Sequence, residues 1–127
     1  SFISDSNSAT RKEGDLAFHV ASKLGDGLKV TNSNLKTIIS LYEIAASARN
    51  TSAMKALGDI FADKRNGFRN NPKALMWYSL AAKRGNKKAA KKQKRLAKKA
   101  SKSDLEASKN AANKCRRNSY TNCGSIG

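Results

Sequence analysis

The pattern Leu41-Tyr42-x-x-Ala45-Ala46-x-x-Arg49-x-x-x-Ala53 returns 36 positions later as Trp77-Tyr78-x-x-Ala81-Ala82-x-x-Gly85-x-x-x-Ala89. A fixed offset of that size marks a helical solenoid, built from supersecondary units that bury their apolar faces only by stacking. Ala53, Leu57, Ile60 and Phe61 fall on one face of a helix. After a polar turn, Ala74, Trp77, Tyr78, Ala81 and Ala82 repeat that spacing on a second. Asn71 is the expected N-cap, and Pro72 takes the first helical position, where a missing N–H costs nothing. Gly85 is the expected C′ residue, with Lys83 and Arg84 at the negative end of the helix dipole. Gly67 suits a left-handed turn position. Residues 53–89 therefore read as an αα-hairpin: Gly58 and the alanines let the backbones approach, and Trp77 and Phe61 fill the space left.

The flanking chain reads as more helix. Leu16, Val20 and Leu24 share one face, with Ala17 and Ala21 beside them, on a helix from Glu13 to about Leu24 that Gly25-Asp26-Gly27 ends. A loop through Asn34 leads to the stripe Leu35, Ile38, Ile39, Tyr42, Ala45, Ala46. In this earlier copy Ser22 stands where Gly58 predicts glycine, and Arg49 replaces Gly85, so one repeat is well formed and one is worn. Residues 86–100 carry a weak stripe of Ala89, Gln93, Leu96, Ala97 and Ala100 among lysines. Ser103-Asp104-Leu105-Glu106 has the form of a capping box opening a last helix along Leu105, Ala107, Ala111 and Ala112.

The combination Ala-x-x-x-Leu57-Gly58-x-x-Phe61, then Lys73-Ala74-x-x-Trp77-Tyr78-x-x-Ala81-Ala82-x-x-Gly85-x-x-x-Ala89, resembles the Sel1-like repeat, a relative of the tetratricopeptide repeat. The resemblance covers about one full repeat. The run from Arg95 to Ser101 with Asp104-Leu105-x-Ala107 is similar to the closing segment of single-domain, periplasmic or secreted Sel1-like proteins of alphaproteobacteria. The expected fold is all-α: a short α-solenoid of antiparallel helix pairs with a basic C-terminal capping helix. Its structural core is Leu57, Gly58, Phe61, Ala74, Trp77, Tyr78, Ala81, Ala82 and Gly85. The expected organisation is a flexible segment over 1–12, a repeat domain over 13–114 (best repeat 53–89, basic cap 86–114) and a tail over 115–127.

At 127 residues the chain is one domain's worth. A mean hydropathy of −0.66 makes the core thin. No run approaches the roughly 18 apolar residues of a membrane span. Residues 1–10 show neither the basic n-region nor the apolar h-region of a signal peptide, as expected of a mature, processed protein or of a trimmed one. Cys115 and Cys123 are spaced for a disulfide in an oxidising compartment, worth roughly 2–3 kcal/mol by loop-closure entropy. Free thiols are the alternative; a metal site lacks ligands, since the single histidine, His19, lies far off. Together these features point to a secreted or periplasmic protein.

No catalytic residue is expected. One histidine, no nucleophile–base pair and no glycine-rich phosphate loop leave the usual enzyme constellations unfilled, and no motif asks for a cofactor. Asp59 and Asp63, four apart, read as solvated or paired with Lys55 or Arg65 rather than as a cation site. Trp77 and Tyr78 read as core, with a groove lining as the alternative. Charge is the informative feature. The chain carries a net +17, and residues 83–117 hold 15 Lys/Arg against Asp104 and Glu106, so +13 of it lies there. Lys87, Lys88, Lys91, Lys92, Lys94, Arg95, Lys98 and Lys99 are the expected partner-binding residues, set against the plainer reading of a solvated cap face. The expected function is a non-enzymatic, protein-binding scaffold whose partner the sequence does not name, an acidic protein being one that the charge would suit; the resemblance implies a secreted effector or periplasmic regulator. The alternative is a basic module that binds nucleic acid or an anionic surface through the lysine-rich third.

Overall fold

The computed structural model describes residues 9–27 and 31–125. It is all-α: α1 (Arg11–Gly27), α2 (Asn32–Ser47), α3 (Thr51–Ala62), α4 (Asn71–Lys83), α5 (Lys87–Ala97) and α6 (Lys102–Arg117), then a 3-10 turn at Cys123–Ser125. Among the described residues there is no strand. Each helix packs on its neighbour in sequence up to α5, and α4 packs on α3, α5 and α6.

Capping chemistry sets most of the boundaries. Thr31, Asn50, Asn70, Asn86 and Ser101 each accept a hydrogen bond from the backbone N–H three residues on, at 2.9–3.2 Å. Each such cap contributes about 1 kcal/mol. The N-cap of α4 is thus Asn70, not Asn71, because only the former holds the extended backbone a cap requires. Likewise Ser101, not Ser103, opens α6. At α1, Thr10 and Glu13 exchange hydrogen bonds of 2.8 and 3.2 Å, a capping box that starts the helix at Arg11 rather than Glu13. The expected stop at Gly25-Asp26-Gly27 does not occur, since α1 continues through all three. Of the segment expected to be flexible, residues 1–8 lie outside the described ones.

Helix C-termini recur as one motif. Arg49 N and Asn50 N bond to Ala46 O and Ala45 O; Gly85 N and Asn86 N bond to Ala82 O and Ala81 O. Arg49 and Gly85 are left-handed, with φ of 66° and 99°. This is the Schellman geometry, and its return at the same offset ties α2 to α4. A third copy closes α6: Ser119 N bonds to Arg116 O and Tyr120 N to Cys115 O, with Ser119 at φ 56°. Cys115 therefore occupies the position of Ala81 and Ala45. It lies inside a helix, buried, and not in a tail, and its disulfide to Cys123 brings Tyr120 and Cys123 into the core.

The core centres on α4, where Ala74, Leu75, Met76, Trp77, Tyr78, Leu80 and Ala81 are all buried. Three neighbouring helices leave this helix almost no outer face. Met54, Leu57 and Phe61 meet it from α3, and Ala111, Ala112 and Cys115 belong to the same cluster from α6. Gly58 is required by sterics, because a Cβ there would stand 2.5 Å from the Tyr78 ring. Two apolar expectations fail. Leu16 is 63% exposed and Val20 37%, because α2 covers the Ala17/Ala21 side of α1. On α6 the inward face is Ser108, Ala111, Ala112 and Cys115, while Leu105 and Ala107 face outward.

Candidate functional site

Asp59, in the last two turns of α3, gathers groups from three helices. Tyr78 of α4 donates its hydroxyl to Oδ1 at 2.6 Å, Lys92 of α5 donates to the same oxygen at 2.6 Å, and Lys55 donates to Oδ2 at 2.9 Å. Half-burial pushes the Asp59 carboxyl up, but the bonds from Lys92, Tyr78 and Lys55 outweigh it and hold it below its ordinary value. Burial first, then the bond to Asp59, raises the Tyr78 phenol far above its ordinary value, so it remains a donor. Hydrogen bonds to an ionised partner contribute about 1.5–3 kcal/mol, which makes this hub a tie across the α3–α4–α5 stack. The neighbouring Asp63 pairs with Arg65 through Nε at 3.1 Å.

The hub floors a surface groove made of three adjoining depressions. One of about 540 Å³ runs from Thr31 and Leu35 to Asp59 and Arg65. The next, about 640 Å³, shares Asp59, Asp63 and Arg65 with it and adds Tyr78 and Lys92. The last, about 230 Å³, shares Ala62, Tyr78 and Lys92 and ends at Arg95, Leu96 and Lys99. The groove thus passes from paired acids to cations with no ion-pair partner among the described residues.

The residues expected to bind a partner divide accordingly. Lys92 is committed to Asp59. Lys87, Lys88, Lys91, Lys94, Arg95, Lys98 and Lys99 are exposed, and among the described residues none forms an ion pair. On α5 no acid offsets them. Arg95 and Lys99 reach the groove and the other five spread over the surface beside it. Leu57, Gly58, Phe61, Ala74, Trp77, Tyr78 and Ala81 are buried as expected, Ala82 is half-buried, and Gly85 is an exposed left-handed cap. Asp59 as the meeting point of two further helices was not foreseen. Among the described residues no three His, Cys, Asp or Glu side chains converge as a metal site would need. No helix among them is long and apolar enough to cross a membrane. His19 is exposed on α1. Comparison with protein-family models, curated proteins and solved structures finds no match for this chain.

Proposed function

We propose that this chain is an exported, non-enzymatic scaffold of the Sel1-like repeat type that binds an acidic protein partner along the groove floored by Asp59. One observation carries the reading: seven exposed cations on and just beyond α5 have no ion-pair partner among the described residues, and two of them, Arg95 and Lys99, rim a ready-made groove. Crowded like charges within a Debye length raise the energy of the free protein, and an acidic surface relieves that cost on binding. The recurring helix-end motif and the Gly58–Tyr78 contact support the repeat assignment. The Cys115–Cys123 disulfide supports export to an oxidising compartment, where an effector or a periplasmic regulator would act.

The second reading, a basic module for nucleic acid or an anionic polymer, draws on the same cations. Salt separates the two, since counterion release makes polyanion binding fall steeply between about 50 and 300 mM. Wild type, the Lys87/Lys88/Lys91/Lys94→Gln variant and the Arg95/Lys99→Ala variant are used as bait in nuclease-treated extract. Lys92 is left intact because it is part of the hub. A discrete protein that persists at about 300 mM with wild type and is lost with Arg95/Lys99→Ala is the expected result. Capture of polyanion alone, abolished by salt or by the four Gln substitutions, overturns the scaffold reading.

A further inference from the structure

A second cleft, about 540 Å³, shares no lining residue with the groove. Ser40, Glu43, Ile44 and Ser47 of α2 form one wall, Trp77 of α4 the inner end, and residues 120–124 the other wall. That second wall is held by the Cys115–Cys123 disulfide and carries left-handed backbone at Tyr120 and Asn122, conformations that non-glycine residues keep only where the surroundings impose them. Glu43 presses against Gly124 so closely that a Cβ there would collide with the carboxylate.

Several polar groups around the cleft are already engaged. The Ser47 hydroxyl donates to Ile44 O at 2.6 Å and accepts from Ala9 N at 3.1 Å. Thr121 donates to Asn118 O. The nearby cations are engaged too: Arg49 and Arg84 lie over the Tyr120 ring at 5.1 and 5.6 Å, Arg49 also donates to Ser47 O, and Lys73 lies over Phe61. Glu43 is left over. In a chain with 26 Lys/Arg against nine acids, this half-buried carboxyl has neither hydrogen bond nor ion pair among the described residues. Burial raises its pKa, with Lys73 opposing only in part. At the inner end the Trp77 indole N–H is buried and, among the described residues, without an acceptor. A half-buried carboxyl that no described residue hydrogen-bonds or ion-pairs, in a cleft with aromatic and aliphatic walls, is the arrangement expected of a binding site and is costly otherwise.

We infer that this cleft binds a primary ammonium group, presented by a lysine side chain or by a polypeptide amino terminus, with Glu43 as its counter-charge and Ile44 and Trp77 against its aliphatic part. Carboxylates and phosphates are disfavoured by Glu43, and a guanidinium already has its place on Tyr120. The inference stands apart from the groove, so either reading can fail alone.

The chain's single tryptophan makes the test direct, because one indole N–H resonance reports on the inner end of the cleft. ¹⁵N-labelled protein is titrated near neutral pH with Nα-acetyl-lysine methylamide, alanine methylamide and Nα-acetyl-norleucine methylamide. Saturable shifts of the Trp77 indole signal are expected with one or both ammonium probes; whichever binds tighter identifies the source. The norleucine probe is expected to bind at least tenfold more weakly. Glu43→Gln should weaken ammonium binding at least tenfold. Ser40→Arg, which sets an internal cation one turn from Glu43, should do the same, while Arg95/Lys99→Ala should change nothing. Equal binding of the norleucine probe, full binding by Glu43→Gln with its far-UV spectrum intact, or no saturable shift overturns the inference.

Discussion

The α1–α2 and α3–α4 hairpins share a backbone plan and differ in what fills it. At matched positions 36 apart, Ala21 corresponds to Leu57, Ser22 to Gly58, Lys23 to Asp59, Leu41 to Trp77 and Ile44 to Leu80. In the second hairpin the tyrosine ring lies against Gly58 and its hydroxyl reaches a carboxylate at 2.6 Å. In the first, the Tyr42 ring lies beside Phe18 and its hydroxyl meets the Ser22 hydroxyl at 3.5 Å. Leu80 is fully buried and Ile44 is 44% exposed. The buried set around α4 runs continuously into α6 and the disulfide, whereas that of the first hairpin divides into two small alanine-containing clusters. A helix with neighbours on three sides can spend every face on packing. A helix such as α2, packed on α1 and α3, keeps a face that no further helix packs on closely, and here that face carries Ser40, Glu43 and Ile44 along the cleft opposite residues 120–124.

The largest test of this contrast is truncation at the matched aromatic position. Trp77→Ala should lose about 3–5 kcal/mol, and Leu41→Ala only about 1–2, since Leu41 is half-buried. Urea unfolding of both variants measures the gap; equal losses would mean the first hairpin is packed as tightly as the second. The next concerns helix approach. Gly58→Ala drives a methyl into the Tyr78 ring and should cost about 1–3 kcal/mol, while Ser22→Ala should stay within about 0.5. Identical thermal midpoints for the two would remove close approach as the distinction.

The smallest effects come from the two acids, and their signs oppose. Asp59 titrates below its ordinary 3.8 in the folded chain, so its contribution is whole above that pH and fades as pH falls through the lower folded value. Glu43 titrates above its ordinary 4.5, so stability is lost as pH rises from 4.5 through the raised folded value. Near neutral pH, Asp59→Asn should destabilise by about 1–2 kcal/mol, and Glu43→Gln should stabilise by less than about 1. Urea midpoints followed from about pH 3 to 7 check both, because each variant should lose only its own limb of the profile. A Glu43→Gln variant that is less stable than wild type would show a hidden partner for that carboxyl.

The second hairpin was legible because its signals agree: helical spacing, a glycine facing a tyrosine, and a left-handed glycine at the end all point one way. The first hairpin was legible only as a register. Its stripe of Leu16, Val20 and Leu24 is amphipathic, but a stripe does not say on which side a neighbour stands, and the small Ala17/Ala21 side took the contact. The Thr10-x-x-Glu13 capping box is a local signal that sets the start of α1 ahead of its apolar stripe. The third helix-end motif was hidden by its shortened offset: Ser119 follows Gly85 by 34 positions rather than 36, and Ala111 and Ala112 stand where Trp77 and Tyr78 stand in α4. The lysine cluster was plain as composition. That Lys92 alone turns inward to Asp59, 33 residues away, depends on how α5 stacks on α3, which local sequence does not encode.

The disulfide also makes the two chain ends mechanically unequal. With Cys123 bonded to Cys115 across eight positions, tension applied beyond residue 123 bypasses the intervening loop and enters α6 directly, where it packs on α4. A translocating unfoldase pulling from that side meets the main core at its first step. One pulling from the other side can peel α1 from α2 first, a small unit with little apolar burial, before reaching any part of the large cluster.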